Sequence, residues 1–237
     1  MTAGVKINNL CKSYRVENKQ MDVLKGLSLV LEEQAFTVIL GKSGCGKTTL
    51  LRILGGFESM DCGEITRPMN QITGMVFQES RLMPWLTAWN NITFGLRKKQ
   101  ISTPAIHELI TLMGLCGFEK AYPAQLSGGM QQRVAIARVL AYNPGLILMD
   151  EPFAALDHFT REHLQKELIK IYSLRKKSIV FVTHSIDEAL LLGQKIIILD
   201  DGRVKAQYDL SSHAYPRDVL SDELIALKKD ILNKIKT

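Results

Sequence analysis

No apolar run in this 237-residue sequence approaches the roughly twenty residues that a bilayer span requires. The best runs, such as Ile196-Ile197-Ile198-Leu199, are the length of a strand, so a soluble or peripheral protein is expected. The opening Met1-Thr2-Ala3-Gly4-Val5-Lys6 lacks the apolar core and small-residue cleavage site of a secretory signal, and export is not expected. Cysteine is scarce: Cys11, Cys45, Cys62 and Cys116 follow no metal-ligand spacing, and a chain of this size does not need disulfides. Four reduced cytoplasmic thiols are the expectation. The basic clusters Arg97-Lys98-Lys99, Arg175-Lys176-Lys177 and Lys228-Lys229 have no accompanying basic helix or aromatic-rich sheet motif. At a formal net charge of +6 they read as solvated surface rather than a nucleic-acid footprint, with docking near an anionic membrane face left open. Internal repeats and low-complexity segments are also missing.

What is present is 46% hydrophobic residues, enough for one sizeable α/β core with a subdomain inserted in it. Four apolar runs end at polar or glycine residues: Val38-Ile39-Leu40 before Gly41, Met75-Val76-Phe77 before Gln78, Ile147-Leu148-Met149 before Asp150, and Ile179-Val180-Phe181-Val182 before Thr183-His184. They read as buried parallel strands. Open α/β sheets bind ligands beyond the carboxyl ends of their strands, which nominates Gly41, Gln78, Asp150 and His184 as one neighbourhood. Between Gln78 and Met149 helical signals dominate. Ser102-Thr103-Pro104 starts a helix, Ile106, Leu109, Ile110 and Met113 recur on one face, and Gly114 ends it. After Pro216, the residues Leu220, Leu224, Leu227, Ile231 and Ile235 recur at near-helical spacing and predict a tail helix packed on the core.

Three motifs carry chemistry. Gly41-Lys42-Ser43-Gly44-Cys45-Gly46-Lys47-Thr48 matches the phosphate-binding P-loop, between a strand and the helical Leu50-Leu51-Arg52-Ile53-Leu54. Its glycines admit backbone N–H groups to the phosphates, Lys47 neutralises their charge, and the Thr48 hydroxyl can ligate Mg²⁺. Asp150-Glu151 places two acids after a buried strand, where Asp150 suits a Mg²⁺ partner and Glu151 a general base for water attacking a γ-phosphate. Leu126-Ser127-Gly128-Gly129-Met130-Gln131-Gln132-Arg133 precedes a helix whose Met130, Val134, Ala137 and Ala141 share a face, with Ser127 as N-cap. That helix start is a second anion site. Whether it serves the same nucleotide as the P-loop is left open by the sequence.

The P-loop, Gln78, the Leu126 to Met130 signature, Asp150-Glu151, Asp157 and His184 occur in the order found in ATP-binding cassette (ABC) ATPases, and the resemblance runs from Tyr14 to about Gly202. It implies a P-loop core with an inserted helical subdomain, at about 80–140, and an N-terminal antiparallel β region, all within one ABC ATPase domain spanning 1–237 with a helical tail from about 216. It implies ATP and Mg²⁺ as cofactors, with the nucleotide held by Tyr14 and the stretch from Gly41 to Thr49. It also implies a head-to-tail dimer in which Ser127, Gly128 and Gly129 of one subunit close on the ATP of the other. Tyr14 resembles the aromatic that stacks on adenine, and Gln78 the γ-phosphate and Mg²⁺ sensor. His184 resembles the histidine that orients the catalytic water, and Asp157, in Phe153-Ala154-Ala155-Leu156-Asp157, the loop that communicates across the dimer.

The segment Phe77-Gln78-Glu79-Ser80-Arg81-Leu82-Met83-Pro84-Trp85-Leu86-Thr87 is similar to that of bacterial importers of nitrate, sulfonates and taurine. Gln131 departs from that branch's usual arginine, and Ser185 from its usual aspartate. By the same resemblance, Leu82 to Leu86 is where a short cytoplasmic helix of a membrane subunit docks, the alternative being that these residues pack into the helical subdomain. Integral membrane permease subunits and a solute-binding protein are the implied partners, no nucleic acid is expected, and the implied location is cytoplasmic and peripheral on the inner face of the membrane. The competing class is a soluble ABC ATPase acting on nucleic acid, ribosomes or iron-sulfur assembly.

Overall fold

A computed structural model describes residues 4–17, 19–97, 101, 103–154, 156–175 and 177–236. Parts of the sequence reading that involve Met1 to Ala3, Lys98, Lys99, Ser102, Ala155 and Lys176 lie outside the described residues. The chain divides into two compact units, one formed by residues 1–71 and 175–237, the other by 72–174.

In the first unit β3 (Phe36–Leu40) is buried along its whole length, because it lies between two parallel neighbours, β7 (Ser178–Thr183) and β8 (Lys195–Asp200). Phe36 and Phe181 meet at 6.1 Å between ring centroids. β9 (Arg203–Asp209) closes this side antiparallel to β8. A separate antiparallel sheet is built from β1 (Val5–Val16), β2 (Lys19–Leu31) and β4 (Cys62–Thr66), in the order β2-β1-β4. The helices of the unit are α1 (Lys47–Leu54), α6 (Ile186–Leu192) and α7 (Asp222–Lys236).

Pairing of β1 with β4 sets Cys11 opposite Cys62, and the two are joined as a disulfide with Cα atoms 5.0 Å apart. This corrects the expectation of four separate thiols. Fifty-one residues separate the pair in sequence, and only the strand register brings them together. Cys45, buried, and Cys116, exposed, stay free. The tail helix forms with Leu224 and Ile231 buried, but Leu220 precedes it in a turn and is 77% exposed, so the apolar stripe starts one turn later than its spacing suggested. Ahead of that helix Arg217 is buried and donates to four main-chain carbonyls, those of Leu190, Gly193, Leu210 and His213.

The second unit contains the parallel pair β5 (Thr73–Val76) and β6 (Leu146–Asp150) with α2 (Ala88–Thr93), α3 (Thr103–Leu112), α4 (Gly128–Ala141) and α5 (His158–Arg175). The α3 face formed by Ile106, Leu109 and Ile110 is buried as its spacing predicts, and Met113 joins it. Beyond Val134 and Ala137 of the predicted α4 stripe, Ala135, Ile136, Val139 and Leu140 are buried too, so this helix is enclosed on nearly every side. No described helix in either unit is long and apolar enough to cross a membrane.

Candidate nucleotide-binding and hydrolysis site

In the first unit the P-loop links buried β3 to α1. Gly41 sits against β8, where a Cβ would come within 2.3 Å of the Leu199 carbonyl oxygen. Gly46 caps α1 at φ 101°, and a side chain there would meet Leu24 and the Val23 carbonyl, so both steric room and a left-handed backbone require glycine. Lys47 is 5% exposed, and its ammonium is held by the carbonyls of Gly41 (2.9 Å) and Lys42 (2.8 Å). The cation is therefore aimed back across the mouth of the loop. Lys42, Ser43 and Gly44 are exposed at its crest, while burial pushes the Cys45 thiol above its ordinary value.

Tyr14 on β1 donates its hydroxyl to Glu58 and lies 3.5 Å from the Thr49 hydroxyl, while Lys12 stands 5.5 Å from its ring centroid. Burial, followed by the Glu58 bond, raises its pKa. Behind it, Asp61 accepts from Lys12 Nζ, Ser13 N and Ser13 Oγ, and these bonds hold its carboxyl below the ordinary 3.8. His184 is exposed at the end of β7. Ser185, the residue that departs from the usual aspartate, caps α6 by accepting from Glu188 N, while buried Thr183 donates to the Glu188 carboxylate. The unit thus gathers Tyr14 and Thr49 beside each other and brackets His184 with two hydroxyl-based bonds.

In the second unit Asp150 ends β6, buried, and Glu151 follows at φ 44°. That left-handed conformation is costly for a non-glycine residue and recurs where a side chain must be presented at a functional position. Ser127 is the N-cap of α4, accepting from Met130 N at 3.2 Å, and Gly129 approaches Leu156. Asp157 caps α5 by accepting from Thr160 N at 3.0 Å, and the Thr160 bonds lower its pKa.

Gln78 is exposed two residues beyond β5. Its loop is fixed from α4: Gln132 Nε2 donates to the Phe77 carbonyl (2.9 Å), Arg138 to the carbonyls of Ser80 and Arg81, and Gln131 accepts from Ser80 while donating to Pro123 and Leu126. Gln131, the other departure, therefore ties the Gln78 loop to the segment leading into Ser127. Sequence reasoning assigned no part to Gln132 or Arg138. It also missed Asn91, fully buried, which accepts from Met83 N and donates to the carbonyls of Met83, Leu86 and Thr87. Nothing in local sequence pattern distinguishes a buried amide of this kind from a surface one.

That bonding holds the Leu82 to Leu86 segment in a fixed form with Trp85 69% exposed. Beside it is a cavity of about 400 Å³ lined by Phe77, Met83, Phe94, Arg138 and Tyr142 among others. Met83 lines this cavity and Trp85 faces solvent.

The donor set suits a nucleotide. Gly44 leaves open space over the loop, and Lys47 and the α1 amides supply positive charge. Among the described residues no cluster of three or more His, Cys, Asp or Glu could cage a metal ion. A Mg²⁺ ion bound chiefly through substrate phosphates needs no such cluster.

Comparison with known proteins agrees with this chemistry. The ABC transporter family pattern matches residues 24–154. An uncharacterized ABC transporter ATP-binding protein of Methanocaldococcus jannaschii is 44% identical over 100% of this chain and 92% of its own length. An aliphatic sulfonates import ATP-binding protein of Bacillus cereus is 39% identical over 98% of this chain and 96% of its own. Among solved structures, a dimeric ATP-binding cassette in a post-hydrolysis state bound to ADP and Pi matches with a TM-score of 0.78 and 35% identity, over 87% of this chain and 98% of that one.

Proposed function

The chain belongs to the ABC transporter family and is an ATPase of that family, and from that premise we propose that it energises import of a small organic or inorganic oxyanion, such as a sulfonate, taurine or nitrate, through separate membrane subunits. The observation that carries this reading is the glycine-framed loop with buried Lys47, joined to 39% identity with a sulfonate-import ATP-binding protein across almost the whole chain. In the same reading residues 1–237 make up one ABC ATPase domain, with the helical subdomain at about 80–140 and the tail from about 216 included.

In this reading Tyr14 stacks on adenine. The stretch Gly41 to Thr49 wraps the phosphates, with Lys47 on the β and γ groups. Thr48, Gln78 and Asp150 would hold a Mg²⁺ ion, which would supply charge neutralisation at the phosphates. Glu151 takes a proton from the attacking water as it bonds to the γ-phosphorus. The bond to the β–γ bridging oxygen breaks, and ADP and phosphate result. His184 orients that water. Ser127, Gly128 and Gly129 of a second, head-to-tail subunit complete the site, and Asp157 links the two sites of the dimer. The subunit works at the cytoplasmic face of a membrane, with the Met83–Trp85 segment against a permease helix.

The deciding experiment purifies the tagged subunit with its membrane-embedded partners and measures phosphate release in proteoliposomes. Hydrolysis stimulated by a solute-loaded binding protein is the expected result. Co-purification with ribosomes or nucleic acid, and hydrolysis indifferent to any membrane partner, would replace transport with the soluble-ATPase alternative.

A further inference from the structure

We propose that Cys11 and Cys62 form a reversible thiol–disulfide site, closed by a low-molecular-weight disulfide such as oxidised glutathione, that clasps the strand carrying Tyr14. The register of β1 and β4 sets the two residues opposite each other at 5.0 Å between Cα atoms, inside the roughly 4.4–6.8 Å span that a disulfide bridges without moving backbone. Cys62 is exposed and Cys11 half-buried, so a small reagent reaches the pair. The Asn9 carbonyl lies 3.5 Å from Cys11 Sγ and 3.7 Å from Cys62 Sγ, placed to accept from either thiol once the pair opens. Asn9 itself takes φ 49°, at the register shift between Asn8 and Cys11 that aims its carbonyl at them.

The clasp reaches the nucleotide residues through a short chain of bonds. Asp61 N donates to the Cys11 carbonyl at 2.9 Å, and the Asp61 carboxylate holds Lys12 and both the backbone and hydroxyl of Ser13. Tyr14 follows, bonded to Glu58. The ring closed by the bridge, residues 11–62, also contains β2, β3, the P-loop and α1. In a reducing compartment the pair is open; under oxidative load it closes.

Closure balances as two exchanges. The Cys62 thiolate attacks one glutathione sulfur, breaking the glutathione disulfide and releasing one glutathione. The Cys11 thiolate then attacks Cys62 Sγ, the mixed disulfide breaks, and the second glutathione leaves. Two electrons pass from the cysteines to glutathione, and the two cysteine protons end on its two thiols.

Only the nucleotide arm of this inference rests on the adenine role proposed for Tyr14. The test equilibrates the full chain in reduced and oxidised glutathione buffers, quenches exchange with acid, counts thiols by maleimide mass labelling in denaturant, and records melting and ADP affinity of the folded chain in each buffer. Expected are four labelled thiols when reduced and two, Cys45 and Cys116, when oxidised. Melting should rise by roughly 5–10 °C on closure, and ADP should bind about threefold tighter through pre-ordering of its site. Cys11→Ser and Cys62→Ser should each melt alike in both buffers. Four labelled thiols throughout, or glutathione retained on Cys62 without ring closure, overturns the site. Closure with unchanged melting overturns the clasp. Closure with raised melting but unchanged ADP affinity upholds the clasp and removes Tyr14 from the nucleotide.

Discussion

The side-chain amide of Gln132 donates to the carbonyl oxygen of Phe77 at 2.9 Å, from a position only 2% exposed. A residue of α4, five positions past Ser127, therefore fixes the backbone immediately before Gln78. Replacing it with leucine keeps the volume and strands that carbonyl, at a cost of about 1–3 kcal/mol. Gln132→Leu should lower the melting temperature modestly and reduce kcat about tenfold while leaving ATP affinity within about twofold, since the phosphate loop is untouched. Equal losses in both would mean that the bond serves stability alone.

Glu151→Gln addresses the general base. The amide keeps the size of the side chain and removes its basicity, so phosphate release should fall about 10²- to 10⁴-fold with ATP still bound. The same variant should accumulate as an ATP-bound dimer on size-exclusion chromatography. Turnover near the parent rate would take Glu151 out of its proposed part.

Complementation tests the shared site. Lys47→Ala and Ser127→Arg subunits should each be inactive alone. When mixed, a fraction of dimers carries one site with both intact halves, and partial ATPase recovery is expected. Demonstrated mixed dimers without recovery would place each signature with its own P-loop.

The exposure of Trp85 separates docking from packing. Trp85→Ala should leave the melting temperature within about 1 °C, because a side chain already in solvent gives up little on truncation. It should weaken pull-down of the membrane subunits. Met83→Ala, which enlarges a cavity that already exists, should act in the same direction with a somewhat larger loss of stability. Normal assembly by the double variant would end the docking assignment.

Acid sensitivity has a named contributor. Asp61 is held below its ordinary 3.8 by Ser13 and Lys12. A carboxyl whose folded pKa is depressed lends stability above its unfolded pKa and loses it as pH falls through the folded value. Asp61→Asn should therefore flatten the decline of melting temperature below about pH 4 and leave the neutral-to-alkaline profile parallel to the parent's.

The strands that came clearly out of the sequence, β3, β5, β6 and β7, are those whose run of apolar residues is nearly unbroken. β1 and β2 offer no such run. Half of β2 is exposed, and only Leu27, Leu29 and Leu31 show the alternation of a one-sided strand. The expectation of an antiparallel N-terminal region came from family resemblance rather than from pattern. Within the site, residues whose chemistry is borne by their type at a fixed spacing, Lys47, Asp150 and Glu151, were legible. Asn91, Gln132 and Arg138 were not, because their partners are main-chain carbonyls chosen by tertiary packing, and a sequence records the donor without the acceptor. The Cys11–Cys62 pairing was hidden for a related reason: it depends on a strand register with a bulge in it.

Arg217 makes the segment after β9 part of the interior, since its flat five-donor fork fills a hole lined by the oxygens of Leu190, Gly193, Leu210 and His213. A chain trimmed ahead of it would leave those oxygens around an empty space, and lysine, with one compact head, could not span them. At the end of α7 the situation reverses, for Lys236 is exposed. Substitutions at that exposed position leave what lies beneath undisturbed, whereas shortening past the arginine removes a keystone.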